Sequence, residues 1–180
     1  HFQRLREEFE GTQVPIRFVR TKAQALEGIG EDAVDYVVCN YTLCAINAEP
    51  GQAMLALARF REVLREGGRL LVEEEFPISR AETAEQEVWA EKWRILKAMT
   101  LVAGGSLYTE FAPDTMAALC ALAGFRGVTW VAATKAYQGV GVLDFLERRV
   151  EGLLAAMPNE SLQAGFAQWA LALREKAKPI

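Results

Sequence analysis

Three groups of residues carry side chains that could bind or transform a ligand. The run Cys39–Tyr41 brings a thiol, an amide and a phenol together. The run Glu73–Glu75 supplies three carboxylates, which can accept a proton or bind a cationic group. Trp89 and Trp93, with Tyr108 further along, supply aromatic faces that suit an apolar or cationic ligand. These residue types favour the binding and positioning of a small ligand.

The histidine and cysteine inventory argues against two other kinds of site. The single histidine is His1, so a nucleophile activated by histidine is not expected. Cys39, Cys44 and Cys120 each stand among apolar residues, and with one histidine they predict no metal site. An odd number of cysteines in apolar surroundings is typical of reduced, buried thiols, which predicts a cytoplasmic protein.

A strand–helix–strand unit positions the first two groups. The continuous apolar run Asp35–Asn40 predicts a strand buried on both faces, and the stripe of apolar residues in 51–65 predicts a helix. Gly67-Gly68 is expected to end that helix, and 69–75 to form a parallel strand after a right-handed crossover. Since ligands of open parallel sheets lie beyond the carboxyl ends of the strands, 39–43 and 73–77 are expected at the binding edge, together with 20–23.

The remaining elements follow from periodicity and from glycine and proline positions. Helices are predicted at 2–9, 81–103, 112–123, 142–157 and 161–177, strands at 14–19 and 128–131, and a helical turn at 23–28. A last antiparallel strand is expected at 136–142, unless it lies outside this sequence.

Composition restricts the function classes. The 180 residues are 51% hydrophobic and 24% charged, which predicts one globular domain. The net charge is −4 without a basic stripe, so no nucleic-acid partner is expected. No uninterrupted apolar run is long enough for a membrane span. The sequence opens at His1 within a charged amphipathic segment, so a truncation at the amino end is expected.

Four segments occur in an order that resembles class I (Rossmann-like) S-adenosylmethionine-dependent methyltransferases. Asp35–Leu43 is similar to the fourth motif of that family, and Phe60–Val72 to its "R-x-L-x-x-G-G-x-L" turn. Leu119–Phe125 is similar to its "L-x-x-A-G-F" helix end, and Ile16–Ala23 stands where its third motif belongs. Together the resemblance covers about residues 14–133.

The resemblance implies an α/β fold, with a mostly parallel twisted sheet flanked by helices. It implies one methyltransferase-like domain over 1–180, in which 81–108 and 142–177 are helical additions that form a cap. The expected cofactor is S-adenosyl-L-methionine, and the expected reaction is methyl transfer to a small-molecule acceptor. The paired helices at 142–157 and 161–177 could instead form a homodimer surface.

Cofactor-binding residues are also implied by the resemblance. They are Thr21, Lys22, Ala23, Cys39, Asn40, Tyr41 and Leu43. This sequence departs from the family pattern in two ways. Neither the glycine-rich first motif nor the acidic residue that binds the ribose occurs in this sequence. Where the family often has an aspartate near the adenine, Lys22 cannot accept a hydrogen bond, so a backbone group is expected to recognise that ring.

A substrate pocket is expected to include Glu75, Trp89, Trp93 and Tyr108, and no catalytic residue is assigned. Each has a simpler interpretation: Glu75 as part of a solvated strand end, and the two tryptophans as packing anchors on one helix face. Two other functions stay open. The departures favour a catalytically inactive methyltransferase-like binding domain, and a different α/β enzyme, such as a nicotinamide dehydrogenase, fits the motifs less well.

Overall fold

The computed structural model describes Glu7, Phe9, Gly11 and residues 15–134 and 136–180. Most of the helix predicted at 2–9 and the first residue of the strand predicted at 14–19 lie outside the described residues. Glu7 is helical, and Gly11 lies in a turn with a φ of 87°.

The strand–helix–strand unit forms as predicted. Strand β1 spans Val34–Asn40 and strand β2 spans Leu64–Glu73, and the two pair in parallel. Helix α1 (Leu43–Ile46) and helix α2 (Gln52–Val63) connect them. Within the described ranges this parallel pair is the whole sheet.

Gly67-Gly68 has a different role from the predicted helix end. Helix α2 ends at Val63, and Leu64 is already extended and pairs with Val34. The next pair is Tyr36 with Arg69, so the residues between bulge out of the strand. Gly67 has a φ of 76°, and a Cβ on Gly68 would lie 2.9 Å from the carbonyl oxygen of Arg65. The two glycines therefore permit a tight bulge at the start of β2.

One face of the sheet packs on helices. Helix α2 faces the sheet with a stripe of apolar residues spaced at i, i+3, i+4 and i+7. Helix α4 (Pro113–Leu122) packs against the same group of apolar residues. The buried residues of this sheet cluster are Cys39, Leu43, Ala53, Ala56, Leu57, Phe60 and Cys120. On the other face Tyr36, Val38 and Leu71 are exposed, so the apolar strands are covered on one side.

The helices after β2 form a second cluster. Helix α3 spans Ala84–Val102, a 3₁₀ helix spans Gly139–Leu143, and helices α5 (Asp144–Ala155) and α6 (Glu160–Ala177) follow. Thr83 and Asn159 cap α3 and α6 by accepting hydrogen bonds from Gln86 N and Leu162 N. The buried residues of this helical cluster are Val88, Ile95, Leu96, Met99, Val142, Leu143, Leu146, Met157, Leu173 and Ala177.

Three strand predictions are wrong for the described residues. Segments 15–19 and 128–131 are irregular, and 136–142 runs into the 3₁₀ helix. A strand requires a neighbouring strand for its backbone hydrogen bonds, and none pairs with these segments in the described part of the chain. Val131 and Trp130 are accordingly 92% and 56% exposed. The predicted α/β class is observed as a small parallel sheet with helices. None of the described helices is both long and apolar enough to cross a membrane.

Candidate functional site

A cavity of about 360 Å³ runs along β1 to its carboxyl end. Ala23, Cys39 and Asn40, three residues of the predicted cofactor site, line it. Its other lining residues are Leu26, Ile29, Val34, Tyr36, Val37, Val38, Thr42 and Phe60. The cavity is therefore mostly apolar, and its polar groups are concentrated where β1 ends.

A turn over residues 21–29 forms part of the cavity wall. Thr21 Oγ1 accepts a hydrogen bond from Glu27 N at 2.9 Å, and Arg59 of α2 donates to the carbonyl of Ala25, also at 2.9 Å. The hydroxyl of Thr21 therefore organises the turn. Lys22 is exposed and does not line the cavity. Of the three predicted residues in this segment, Ala23 alone is part of the cavity wall.

Tyr41 stands at the end of β1 in a strained backbone conformation. Its φ is 50°, in the left-handed region that residues other than glycine rarely adopt. Its N–H donates to the carbonyl of Glu73 at 2.7 Å, and its hydroxyl donates to the Glu73 carboxylate. The bond to Glu73 and partial burial, with the charge of Glu75 as a smaller effect, raise the pKa of Tyr41 to about 12. The phenol is therefore neutral at physiological pH.

The carboxylate of Glu74 binds the backbone of the loop that follows β1. One of its carboxylate oxygens accepts hydrogen bonds from Thr42 N at 2.7 Å and Leu43 N at 2.5 Å. Its other oxygen is buried and has no hydrogen-bond partner among the described residues. The sequence analysis assigned Glu75 to a substrate pocket, but Glu74 is the carboxylate that binds the backbone of this loop. One feature of the sequence indicated this role. Side chains alternate along a strand, so Glu74 points to the face opposite Glu73 and Glu75.

Two thiols lie near this loop: Cys39 is buried in the sheet cluster, and Cys44 is half-buried. Burial, with a smaller contribution from the charge of Glu74, raises the pKa of Cys39 to about 11 and that of Cys44 to about 12. Both are therefore protonated at neutral pH. Leu43 is fully buried in the sheet cluster and lies outside the cavity wall. In the described ranges no group of three or more His, Cys, Asp and Glu side chains could hold a metal ion.

A second, smaller cleft of about 130 Å³ lies between the segment after β2 and helix α3. Glu75, Trp89 and Trp93, three of the four residues predicted for a substrate pocket, line this cleft. The other lining residues are Phe76, Pro77, Ile78, Ala90, Arg94, Lys97 and Glu110. Tyr108 stands behind it, with its ring 6.5 Å from that of Trp93.

The two tryptophans also pack, as the simpler interpretation predicted. Trp89 stacks on Tyr137 at 5.3 Å between ring centroids, and the ammonium of Lys92 lies 3.2 Å from the Trp89 ring centroid. Trp93 contacts Phe145 at 5.7 Å. These contacts hold the rings rigidly, so the cleft has a preformed aromatic wall.

The two hollows are linked through the loop after β1. Thr109 N donates to the carbonyl of Cys44 at 3.1 Å, which ties the segment before Glu110 to α1. Tyr41, beside the larger cavity, is close enough to Glu75 of the smaller cleft for that charge to raise its pKa. The larger hollow is mostly apolar, whereas the smaller one combines aromatic and charged side chains. Both include residues at or just after the carboxyl ends of the two strands, the edge at which parallel sheets commonly bind ligands.

A comparison with models of known protein families found a family that matches part of the chain. Residues 2–72 match the family model of the methyltransferase domain, which describes a class I S-adenosylmethionine-dependent methyltransferase family. The resemblance stated from the sequence is thereby confirmed, and S-adenosylmethionine-dependent methylation is supported in general terms. The match covers less than half of the chain and ends before α3. No curated protein and no solved structure matches the chain.

Proposed function

We propose that this protein transfers a methyl group from S-adenosyl-L-methionine to a small-molecule acceptor. The observation that carries the proposal is the pair of hollows near the loop after β1, one lined by Asn40 and Thr42 and the other by Glu75. The larger hollow lies within the segment that matches the methyltransferase family. In this proposal the larger cavity takes the cofactor and the aromatic cleft takes the acceptor.

The residues of the larger cavity fit such a cofactor. Its volume of about 360 Å³ lies in the range of roughly 300–1,000 Å³ that small-molecule sites occupy. Leu26 and Ile29 offer apolar contacts to a ring, and Asn40 offers an amide with both a donor and an acceptor. Because Lys22 lies outside the wall, Asn40 and backbone groups would take the polar contacts.

The cofactor, when bound, supplies a methyl group on a positively charged sulfur. Residues at the strand ends suit a neighbouring cation, because Glu73, Glu74 and Glu75 concentrate negative charge there. Glu73 keeps the Tyr41 phenol protonated, and the strained backbone fixes its direction. Methyl transfer is a displacement that depends mainly on the orientation of donor and acceptor, so positioning is the contribution expected from these residues.

The helices after β2 complete the proposed domain. Residues 1–180 act as one methyltransferase-like unit, in which 81–108 and 142–177 form a helical cap over the acceptor. Support for this comes from α3, which forms one wall of the aromatic cleft and packs on α5 and α6. The cap would exclude water from the acceptor and hold it against the larger cavity.

Calorimetry with S-adenosylhomocysteine tests the proposal. We expect saturable binding at up to millimolar ligand, weakened at least tenfold by Ala23→Leu, which fills the cavity. The matched control is Ala118→Leu, at an exposed position of α4 outside the cavity, which is expected to bind normally. No binding by the unsubstituted protein would overturn the proposal and favour a non-catalytic, methyltransferase-like binding domain. Equal binding by both variants would show that the cofactor binds outside this cavity.

A further inference from the structure

The walls of the aromatic cleft differ in hydrogen-bonding character. Helix α3 contributes Trp93, Arg94 and Lys97 to one wall, and these side chains can donate hydrogen bonds but not accept them. The indole N–H of Trp93 is buried, and no acceptor meets it within the described residues. The α3 wall therefore favours a ligand group that accepts hydrogen bonds.

The charges around the cleft indicate which kind of hydrogen-bond acceptor would bind there. Lys97 forms an ion pair with Glu110, which neutralises both. In the part of the chain that the structure describes, Arg94 forms neither an ion pair nor a side-chain hydrogen bond, and acts on Glu91 only through its charge. Glu75 lines the cleft from the segment after β2. An anionic group would therefore lie towards α3, near Arg94, and away from Glu75.

The size of the cleft limits the ligand to about one ring. The cleft, which is partly open, measures about 130 Å³, close to the roughly 150 Å³ of an enclosed apolar cavity that holds benzene. Trp89 and Trp93 line the cleft with rings that their neighbours hold in place: Tyr137 stacks on Trp89, and Lys92 Nζ lies 3.2 Å from its ring centroid. A single planar ring can contact the parts of these indoles that line the cleft, and a larger ligand would extend beyond it.

We propose that the cleft binds a single aromatic ring bearing an anionic substituent, such as a carboxylate, and that methyl acceptors of this protein belong to that class. The assignment as an acceptor rests on the proposed methyltransferase function. The binding itself does not, because it depends on Trp93, Arg94 and the cleft alone. The ring would lie against the two tryptophans, with its anionic group at Arg94.

Three probes with the same ring and different charges test the binding. Benzoate, benzyl alcohol and benzylamine are titrated separately into the protein, and binding is followed by calorimetry and tryptophan fluorescence. We expect benzoate to bind most tightly and benzylamine most weakly. Arg94→Gln should weaken the binding of benzoate by about tenfold, since a hydrogen bond to a charged group is lost. The same substitution should leave the binding of benzyl alcohol unchanged. Arg148→Gln, at an exposed position of α5 outside the cleft, is the matched control and should change neither.

The outcomes separate this proposal from the methyltransferase function. If S-adenosylhomocysteine binds but benzoate does not bind at tens of millimolar, the cleft assignment is wrong and the cofactor assignment stands. If benzoate binds and responds to Arg94→Gln while S-adenosylhomocysteine does not bind, the cleft binds such ligands but they are not methyl acceptors. Tighter binding of benzylamine than of benzoate would show that Glu75 dominates the cleft, and would overturn the choice of an anion.

Discussion

Tyr41 is joined to Glu73 by two hydrogen bonds, one from its backbone N–H to the Glu73 carbonyl at 2.7 Å and one from its hydroxyl to the Glu73 carboxylate. The bonds cross from the end of β1 to the end of β2. They hold Tyr41 at a φ of 50°, a strained conformation that proteins keep where surrounding contacts impose it and that is concentrated at functional sites. The pair therefore fixes the backbone at the carboxyl ends of both strands.

The first prediction concerns the ionisation of Tyr41. The bond to Glu73 and partial burial raise its pKa to about 12, so one of the four tyrosines of the sequence should ionise later than an ordinary phenol. Replacing Glu73 by Gln should return this pKa towards about 10. Spectroscopic titration of tyrosinate absorbance measures the change. Tyr41→Phe should delete the late phase and Tyr36→Phe should leave it, whereas a late phase that survives Tyr41→Phe would contradict the assignment.

The unit that bears the larger cavity was predictable because its signals are local. The apolar run of 35–40 and the stripe of 51–65 specify a strand and a helix, and their order requires a parallel crossover. The same reasoning placed Ala23, Cys39 and Asn40 near one edge, and all three line the cavity. For Cys39 and Asn40, position on the strand was sufficient. Ala23 lines the cavity although the strand predicted before it does not form, because it belongs to the turn that forms part of the wall.

The features that were missed depend on contacts between distant segments. An apolar run such as 128–131 becomes a strand only when a partner strand supplies hydrogen bonds, and periodicity cannot identify that partner. The role of Glu74 depends on the loop after β1 folding back over it. The bulge at Gly68 depends on the carbonyls of Asp35 and Arg65, one of which lies on the other strand.

The second prediction concerns that bulge. A Cβ at Gly68 would lie 2.9 Å from the Arg65 carbonyl oxygen and 3.1 Å from the Asp35 carbonyl oxygen, and backbone atoms cannot move aside without disturbing the strand pair. Gly68→Ala should therefore lower the free energy of unfolding by about 2–4 kcal/mol. Gly30→Ala is the matched control, because a Cβ there meets no atom within 4 Å. Urea denaturation compares the two, and equal stabilities would show that the bulge does not exclude a side chain.

The third prediction concerns the thiols. Burial raises the pKa values of Cys39 to about 11, of Cys44 to about 12, and of Cys120 above its usual range. At neutral pH the thiolate fraction should thus be about 300-fold smaller for Cys39 and about 3,000-fold smaller for Cys44 in the folded protein than in the unfolded chain, and also smaller for Cys120. Alkylation by iodoacetamide, followed by mass spectrometry, should be slow in buffer and fast in urea. Equal rates would assign these cysteines to an accessible site.

The same pKa shifts give a pH dependence of stability with a definite sign. A thiol whose folded pKa is raised contributes stability below its unfolded pKa of about 8.5, and that stability is lost as the pH rises towards the folded value. The free energy of unfolding should therefore fall between about pH 8.5 and pH 11. The fall should be smaller in a variant with Cys39, Cys44 and Cys120 replaced by Ala, and an unchanged slope would assign the effect to other groups.

The last prediction concerns Glu91, which joins α3 to α6. Its carboxylate accepts hydrogen bonds from Trp169 Nε1 at 2.9 Å and from Lys176 Nζ at 3.1 Å. Burial alone would raise its pKa, but these bonds outweigh burial, so the pKa of Glu91 is lowered. Stability from this contact is present above the ordinary glutamate pKa, and is lost as the pH falls through the lowered value.

Glu91→Gln should lower the free energy of unfolding at pH 7 by about 1–3 kcal/mol, because it weakens charge-assisted hydrogen bonds to two partners on α6. Glu87→Gln is the matched control, since Glu87 pairs with the same Lys176 but is exposed, and exposed pairs contribute about 0–1 kcal/mol. Thermal unfolding at pH 7 and at pH 3.5 measures both effects. The difference between unsubstituted protein and Glu91→Gln should narrow at the lower pH. If the two substitutions cost the same, the Trp169 bond does not hold the cap helices together.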